Sequence, residues 1–112
     1  MRRQIERHPK YCINEEGAVF RIKPDGSVSL LLLDFSNGYP RVDLDGRKEY
    51  VSRLVLETFD PTDDETLKVF YIDGDHSNTR LSNLCWLSPS DIQLYSQYTV
   101  EYRRQMLGRG AR

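Results

Sequence analysis

Apolar and polar positions alternate in short runs through the first half of the chain and take on helical spacing only in the second. Tyr11-Cys12-Ile13-Asn14 and Ala18 to Ile22 read as short strands separated by Glu15-Glu16-Gly17. Pro24-Asp25-Gly26 is a turn, since Pro presets φ and Gly accepts positive φ. Ser27 to Phe35 is β-capable and carries the leucine run Leu30 to Leu33. Such a run is either a strand buried on both faces or one that exposes apolar surface. Ser36-Asn37-Gly38 makes the next turn, and Tyr39 to Leu44 alternates as a strand. Asp45-Gly46 closes a hairpin to Arg47–Tyr50. The expectation is a small antiparallel meander over residues 11–50, preceded by a basic arm over residues 1–10.

Ser52 reads as a helix N-cap before Arg53 to Phe59, where Leu54, Val55, Thr58 and Phe59 give a core-packing face; Pro61 ends that helix. Lys68 to Ile72 and Cys85 to Leu87 read as strands on either side of a polar loop. The last helix starts at Ser88 or Ser90: Ser88 can cap it, Pro89 suits the first helical position, and Asp91 complements the dipole. Ile92, Tyr95, Tyr98 (or Thr99), Tyr102 and Met106 then form one stripe along an extended C-terminal helix, and Gly108 to Arg112 form a flexible basic tail. The stripe serves core packing or, through Tyr95, Tyr98 and Tyr102, a partner or homodimer face, since Tyr combines contact area with a polar tip. The fold class is α+β: a meander, a helix, and a ββα core over residues 51–95, extended by residues 96–112, in one domain.

The polar loop between the two late strands, Asp73-Gly74-Asp75-His76-Ser77-Asn78-Thr79-Arg80-Leu81-Ser82-Asn83-Leu84, is too rich in Asp and Asn for a helix. It persists only if side-chain amides and carboxylates satisfy its backbone, which nominates Asp73, Asp75, Asn78 and Asn83, with Leu84 and Trp86 as anchors. This stretch resembles the core of the HNH homing endonucleases of phages and mobile introns, a branch of the ββα-metal nucleases. That core reads roughly V-[DN]-H-I-D-G-D-x-x-N-N-R-L-x-N-L-x-W. Ile72, Asp73, Gly74, Asp75, Asn78, Arg80, Leu81, Asn83, Leu84 and Trp86 match it in register. Tyr11 to Asn14 with Gly17-Ala18-Val19, Gly38-Tyr39 with Arg41-Val42, and Arg53-Leu54-Val55 with Thr58-Phe59 resemble upstream segments of the same family, so the likeness covers about residues 9–95.

The resemblance implies a catalytic His and two metal-ligand positions, and the chain departs at each. Tyr71 stands where the family has the His that activates water. Phe70 and Ile92 stand where it has metal ligands, and Ser52 replaces the His before Arg-Leu-Val. Histidine titrates near pH 7 and tyrosine near about 10, so Tyr71 is a poor base. Phe and Ile offer no donor to a hard cation. The resemblance therefore implies an abandoned site with no cofactor; Mg²⁺ or Mn²⁺ would enter only with residual nuclease activity, for which His76 and Asp91 are the nearby substitutes.

Charge bears on the partner. The net charge of −1 hides basic ends (Arg2, Arg3, Arg7, Lys10; Arg103, Arg104, Arg109, Arg112) around an acidic body with a run at Asp60, Asp63, Asp64 and Glu65. Duplex binders are normally basic, so the leading expectation is a protein partner: a regulator or inhibitor of phage or mobile-element origin, in the manner of a counter-defence protein. The alternative is a DNA-binding regulator contacting phosphates through Arg53, Lys68, Arg80, Arg103, Arg104 and the basic ends; a third is an active HNH nicking enzyme with an altered site. Cys12 and Cys85 form no disulfide framework or zinc pair, and no apolar stretch suits a membrane or a signal peptide, so the cytoplasm is the expected location.

Overall fold

The computed structural model describes residues 1–109. Strands β1 (Arg3–Ile5), β2 (His8–Ile13), β3 (Val19–Ile22) and β4 (Val28–Leu30) form an antiparallel sheet in chain order. Its register sets Ile13 opposite Val19, both fully buried. β5 (Arg41–Leu44) and β6 (Arg47–Tyr50) make a separate hairpin, turned at Asp45-Gly46 with φ of 54° and 81°. Positive φ at both central residues gives the turn whose twist matches the strands. Helix α1 (Val51–Phe59) follows at once and buries Val51, Leu54, Val55 and Leu56 against the four-stranded sheet and against Leu84.

β7 (Lys68–Tyr71) and β8 (Leu84–Leu87) pair antiparallel, with a 3₁₀ turn at Leu81–Asn83 before β8. The alternation of a strand divides this hairpin between two cores. Val69, Tyr71, Leu84 and Trp86 face the α1 side, while Phe70, Cys85 and Leu87 face α2 (Pro89–Tyr95) and α3 (Val100–Leu107), meeting Ile92, Tyr95 and Leu107. The result is an α+β architecture of antiparallel hairpins and three helices.

Several elements differ from expectation. The basic arm is β1 and the start of β2. Its His8 is buried between Glu49 Oε2 (2.7 Å) and Asp45 Oδ2 (3.3 Å), Arg7 pairs with Glu49 and Glu57, and Arg2 and Arg3 lie over the Phe20 and Phe59 rings. Those cations are spent on the fold. The meander is split into two sheets, and the leucine run is a strand only to Leu30. Beyond it Leu31 and Leu33 turn to the core, while Leu32 is 94% exposed.

Ser52 is not a cap. The helix starts at Val51, whose N–H donates to Pro40 O, and the Ser52 hydroxyl is 2.6 Å from Tyr71 Oη. The extended final helix is two helices. Ser96 Oγ donates back to Ile92 O at 2.6 Å, and Thr99, in extended backbone, caps Tyr102 N–H at 3.2 Å. Local hydroxyl bonds of this kind compete with a continuous helix. Of the expected tail, Arg109 is docked, donating to Leu81 O, Leu84 O and Asp60, and residues 110–112 lie outside the described residues.

Candidate functional site

The loop between β7 and β8 is closed by three side chains. Asn83, 6% exposed, accepts from Asp73 N–H at 2.9 Å and donates to Asp73 Oδ1 (2.9 Å) and Asn78 O (3.0 Å). Asn78 donates to Asp73 Oδ2 at 2.8 Å, and Asp75 N–H donates to Asp73 Oδ1 at 2.8 Å. Burial works against the Asp73 carboxylate, but the Asn78 amide, the Asp75 N–H and the Asn83 amide outweigh it and hold Asp73 below the usual carboxylate range. Asp75 accepts from the N–H and hydroxyl of Ser77, and Gly74 takes a φ of 77° that other residues resist. The loop is tied to the first sheet: Leu81 N–H donates to Glu15 O at 2.7 Å, and any Cβ at Gly17 would run into Thr79. Trp86 anchors its far end, donating Nε1–H to Asp60 O at 2.7 Å.

Phe70, Tyr71 and Ile92 come together on the wall of a cavity of about 330 Å³ beside this loop, with Tyr39, His76, Ser96 and Arg103. Phe70 and Ile92 belong to one apolar cluster. Tyr71 turns the other way and commits its hydroxyl to Ser52. Burial pushes the Tyr71 phenol up, against the opposing pull of the Ser52 hydrogen bond, which moves it further from a neutral-pH base. Burial likewise raises the adjacent Cys85 thiol to about 11, so it is no nucleophile at neutral pH. The Arg103 guanidinium lies 5.6 Å from the Phe70 ring centroid and donates to Tyr95 O (2.9 Å), Ile72 O (3.2 Å) and Ser96 O (3.1 Å). Phenyl, aliphatic and bonded phenol groups around a fixed cation do not fit a hard divalent metal, which needs anionic or neutral oxygen and nitrogen donors. Among the described residues no three His, Cys, Asp or Glu side chains gather as a ligand group.

The five cations nominated for phosphate contact have different fates. Arg53 is paired with Glu57 at 3.1 Å and lies over Trp86, and Arg103 is held by carbonyls. Lys68, Arg80 and Arg104 are exposed and, among the described residues, make no ion pair. Tyr95 packs inward on the second core, while Tyr98 and Tyr102 are 43% and 39% exposed with ring centroids 4.6 Å apart.

His76 and Arg103 are both nominated by the sequence, but two of their contacts are not visible there. His76 stacks on Tyr39 at 4.4 Å with an interplanar angle of 14°, and meets Tyr71 edge-on at 5.1 Å. Tyr39 comes from the segment before β5, and no local pattern joins it to residue 76. Arg103 enters from α3, and only the break at Ser96–Thr99 lets that helix fold back; the hydroxyl residues Ser96 and Thr99 are the signal for it.

No protein-family model and no curated protein matches the sequence. Among solved structures the chain is similar to the HNH homing endonuclease I-HmuI, from a study of DNA binding and cleavage by that enzyme. The TM-score is 0.69 at 26% identity, and the match covers 95% of this chain. The chain spans 65% of the length of that protein. The α+β fold is therefore HNH-homing-endonuclease-like, as the residues of the polar loop led one to expect.

Proposed function

We propose that this chain is a DNA-binding domain of HNH-like fold whose cleavage site has been abandoned. The observation that carries the reading is the composition of the cavity wall. Phe70, Tyr71 and Ile92 occupy the positions that the family motif gives to a metal ligand, the base and a second ligand, and a guanidinium projects into the same space. Phosphodiester hydrolysis there would need a base titrating near neutrality and a metal to stabilise charge. His76 is the one imidazole on that wall, stacked on Tyr39 rather than at the motif's base position, and among the described residues no ligand group gathers there to hold a metal.

Duplex DNA is the favoured ligand because the similar endonuclease binds DNA and the likeness extends over nearly the whole chain, including the first sheet. Of the nominated cations, Lys68, Arg80 and Arg104 are exposed and, among the described residues, make no ion pair, so they can meet phosphates. A protein partner is the second reading, and the inhibitor or regulator role belongs to it. It is favoured by the exposed stripe Leu94, Tyr98, Tyr102 and Met106, which runs across both C-terminal helices and would also serve a homodimer.

The test is anisotropy of a labelled duplex titrated with the protein at low and physiological salt, with Mg²⁺ or Mn²⁺ and with EDTA. The expected result is metal-independent binding that weakens steeply with salt, with intact DNA recovered throughout. Metal-dependent nicking would refute the abandoned site. Absence of binding at low salt would refute the DNA reading in favour of the protein partner.

A further inference from the structure

Arg103 is half-buried, lines a concave cavity, and among the described residues has no carboxylate within ion-pair distance. A charge withdrawn from water is ordinarily paired. Here carbonyl oxygens of Ile72, Tyr95 and Ser96 orient the group without neutralising it. A guanidinium has five N–H donors, and those contacts engage three of them, so two remain to serve the cavity. The His76 imidazole, fixed by stacking on Tyr39, lines the same space and adds a further ring N–H. Asp73, on the same loop, has both oxygens committed to Asn78, Asn83 and the Asp75 N–H, and makes no ion pair with Arg103.

We infer that this cavity is a metal-independent phosphate site, in which the Arg103 guanidinium and His76 hold a phosphate where the family's motif positions would place a cation. Planar N–H pairs of Arg match phosphate oxygens, and the apolar wall of Phe70 and Ile92 keeps the local dielectric low and the contact strong. The cavity, at about 330 Å³, accommodates a phosphate ester with an adjoining sugar. The phosphate could belong to a nucleic-acid backbone or be free. The backbone source rests on the DNA-binding reading, whereas the site itself does not.

The test follows the Arg103 Nε–H NMR resonance in EDTA during titration with inorganic phosphate, and duplex affinity in parallel. Four variants accompany the native chain. Ser96→Asp puts a carboxylate beside the guanidinium while keeping the Ser96 carbonyl that Arg103 donates to, and Ser96→Ala, which loses the same Oγ–H bond to Ile92 O without adding charge, must retain the response. Gln105→Glu makes the same charge change on the exposed side of α3, and His76→Ala removes the second donor. Expected is a saturable shift of the Arg103 resonance, lost in Ser96→Asp and retained in Gln105→Glu. Duplex affinity should fall about tenfold in Ser96→Asp, the loss of roughly one charge-assisted hydrogen bond, and less in His76→Ala. An Arg103 resonance insensitive to phosphate, or equal effects of Ser96→Asp and Gln105→Glu, overturns the site. Duplex binding that survives Ser96→Asp unchanged, with the phosphate shift lost, leaves the DNA reading standing and assigns the site to free phosphate rather than the backbone. Phosphate binding by a chain that ignores duplex removes the DNA reading and leaves a site for free phosphate.

Discussion

Replacing Asn83 by Ala removes the residue on which the polar loop closes. Three hydrogen bonds disappear, to Asp73 N–H, Asp73 Oδ1 and Asn78 O. At about 1 kcal/mol net for each, the loss is ~3 kcal/mol. Water cannot fully replace the amide, because Asn83 is 6% exposed; one backbone group left partly unsatisfied adds about 1 kcal/mol. The expected destabilisation is thus about 3–4 kcal/mol, a large part of the 5–15 kcal/mol typical of a domain. Urea unfolding followed by Trp86 fluorescence measures it, with an unchanged m-value showing that only stability moved. The thermal midpoint should fall by roughly 10–15 °C.

Asn83→Asp sharpens the test. It keeps the acceptor toward Asp73 N–H but sets a carboxylate oxygen where the amide stood 2.9 Å from Asp73 Oδ1. At neutral pH this variant should be less stable than Asn83→Ala, and the difference should shrink as acid protonates one of the two carboxyls. A loss below about 1 kcal/mol in Asn83→Ala, or Asn83→Asp equal to wild type at pH 7, would refute the claim that this amide holds the loop.

Other perturbations probe the remaining contacts. Because Asp73 titrates below its unfolded value, its contribution is complete above about pH 4–5 and is lost as pH falls through the depressed native pKa; Asp73→Asn should flatten the acid limb of a stability-versus-pH curve, and an unchanged limb contradicts this. Tyr71→Phe should cost about 1 kcal/mol through the stranded Ser52 hydroxyl, and Ser52→Ala should recover most of it in the double variant, giving a measurable coupling in denaturant melts. Phe70→Asp, Tyr71→His and Ile92→Asn together should create Mn²⁺ binding by calorimetry, stronger when Arg103→Gln removes the resident cation. A folded variant that binds no metal would show that the motif register is wrong. Leu32→Asn should leave unfolding within about 0.5 kcal/mol of wild type, since that side chain is 94% exposed.

What could be seen in the residues and what could not divide along physical lines. Turns announced themselves, because Asp45-Gly46, Asn37-Gly38 and Asp25-Gly26 carry their conformational demand in their own side chains. The late hairpin and its polar loop were equally readable, since Asp73, Asn78 and Asn83 bond within a short stretch of chain. Apart from the helix break, which local bonds of Ser96 and Thr99 make, the failures are non-local. Residues 1–10 look like an arm until His8 is set between Asp45 and Glu49, which lie far along the sequence. Ser52 has the composition of a cap, but a hydroxyl from β7 claims it. Arg103 has the composition of a surface cation, but the carbonyls of Tyr95 and Ser96, from the preceding helix, and of the distant Ile72 claim it.

The division also explains how an HNH-like fold can keep its loop while losing the groups that cleave. The bonds that shape the loop run among Asp73, Asn78 and Asn83 and tie back to the first sheet at Glu15. None involves a side chain of Phe70, Tyr71 or Ile92; Tyr71 enters only through its carbonyl, which accepts from Gly74 N–H at 2.9 Å. A substitution at those three positions therefore leaves the loop's hydrogen bonds intact. At Phe70 and Ile92 it also sets apolar volume, joining Leu87, Cys85 and Leu107 in the second core, where the motif has groups that are expensive to bury. On the proposed reading, such a change would stabilise the fold while removing the chemistry. The cavity holds the guanidinium of Arg103 beside His76, and the position of Arg103 depends on the break at Ser96–Thr99 as well as on Ile72 O. Straightening that break, for example with Ser96→Ala and Thr99→Ala together, should withdraw Arg103 from Ile72 O and abolish the phosphate response of its Nε–H resonance. The urea midpoint of the loop core reported by Trp86 should move far less than in Asn83→Ala. Parallel loss of both would mean that loop and cavity are a single unit after all.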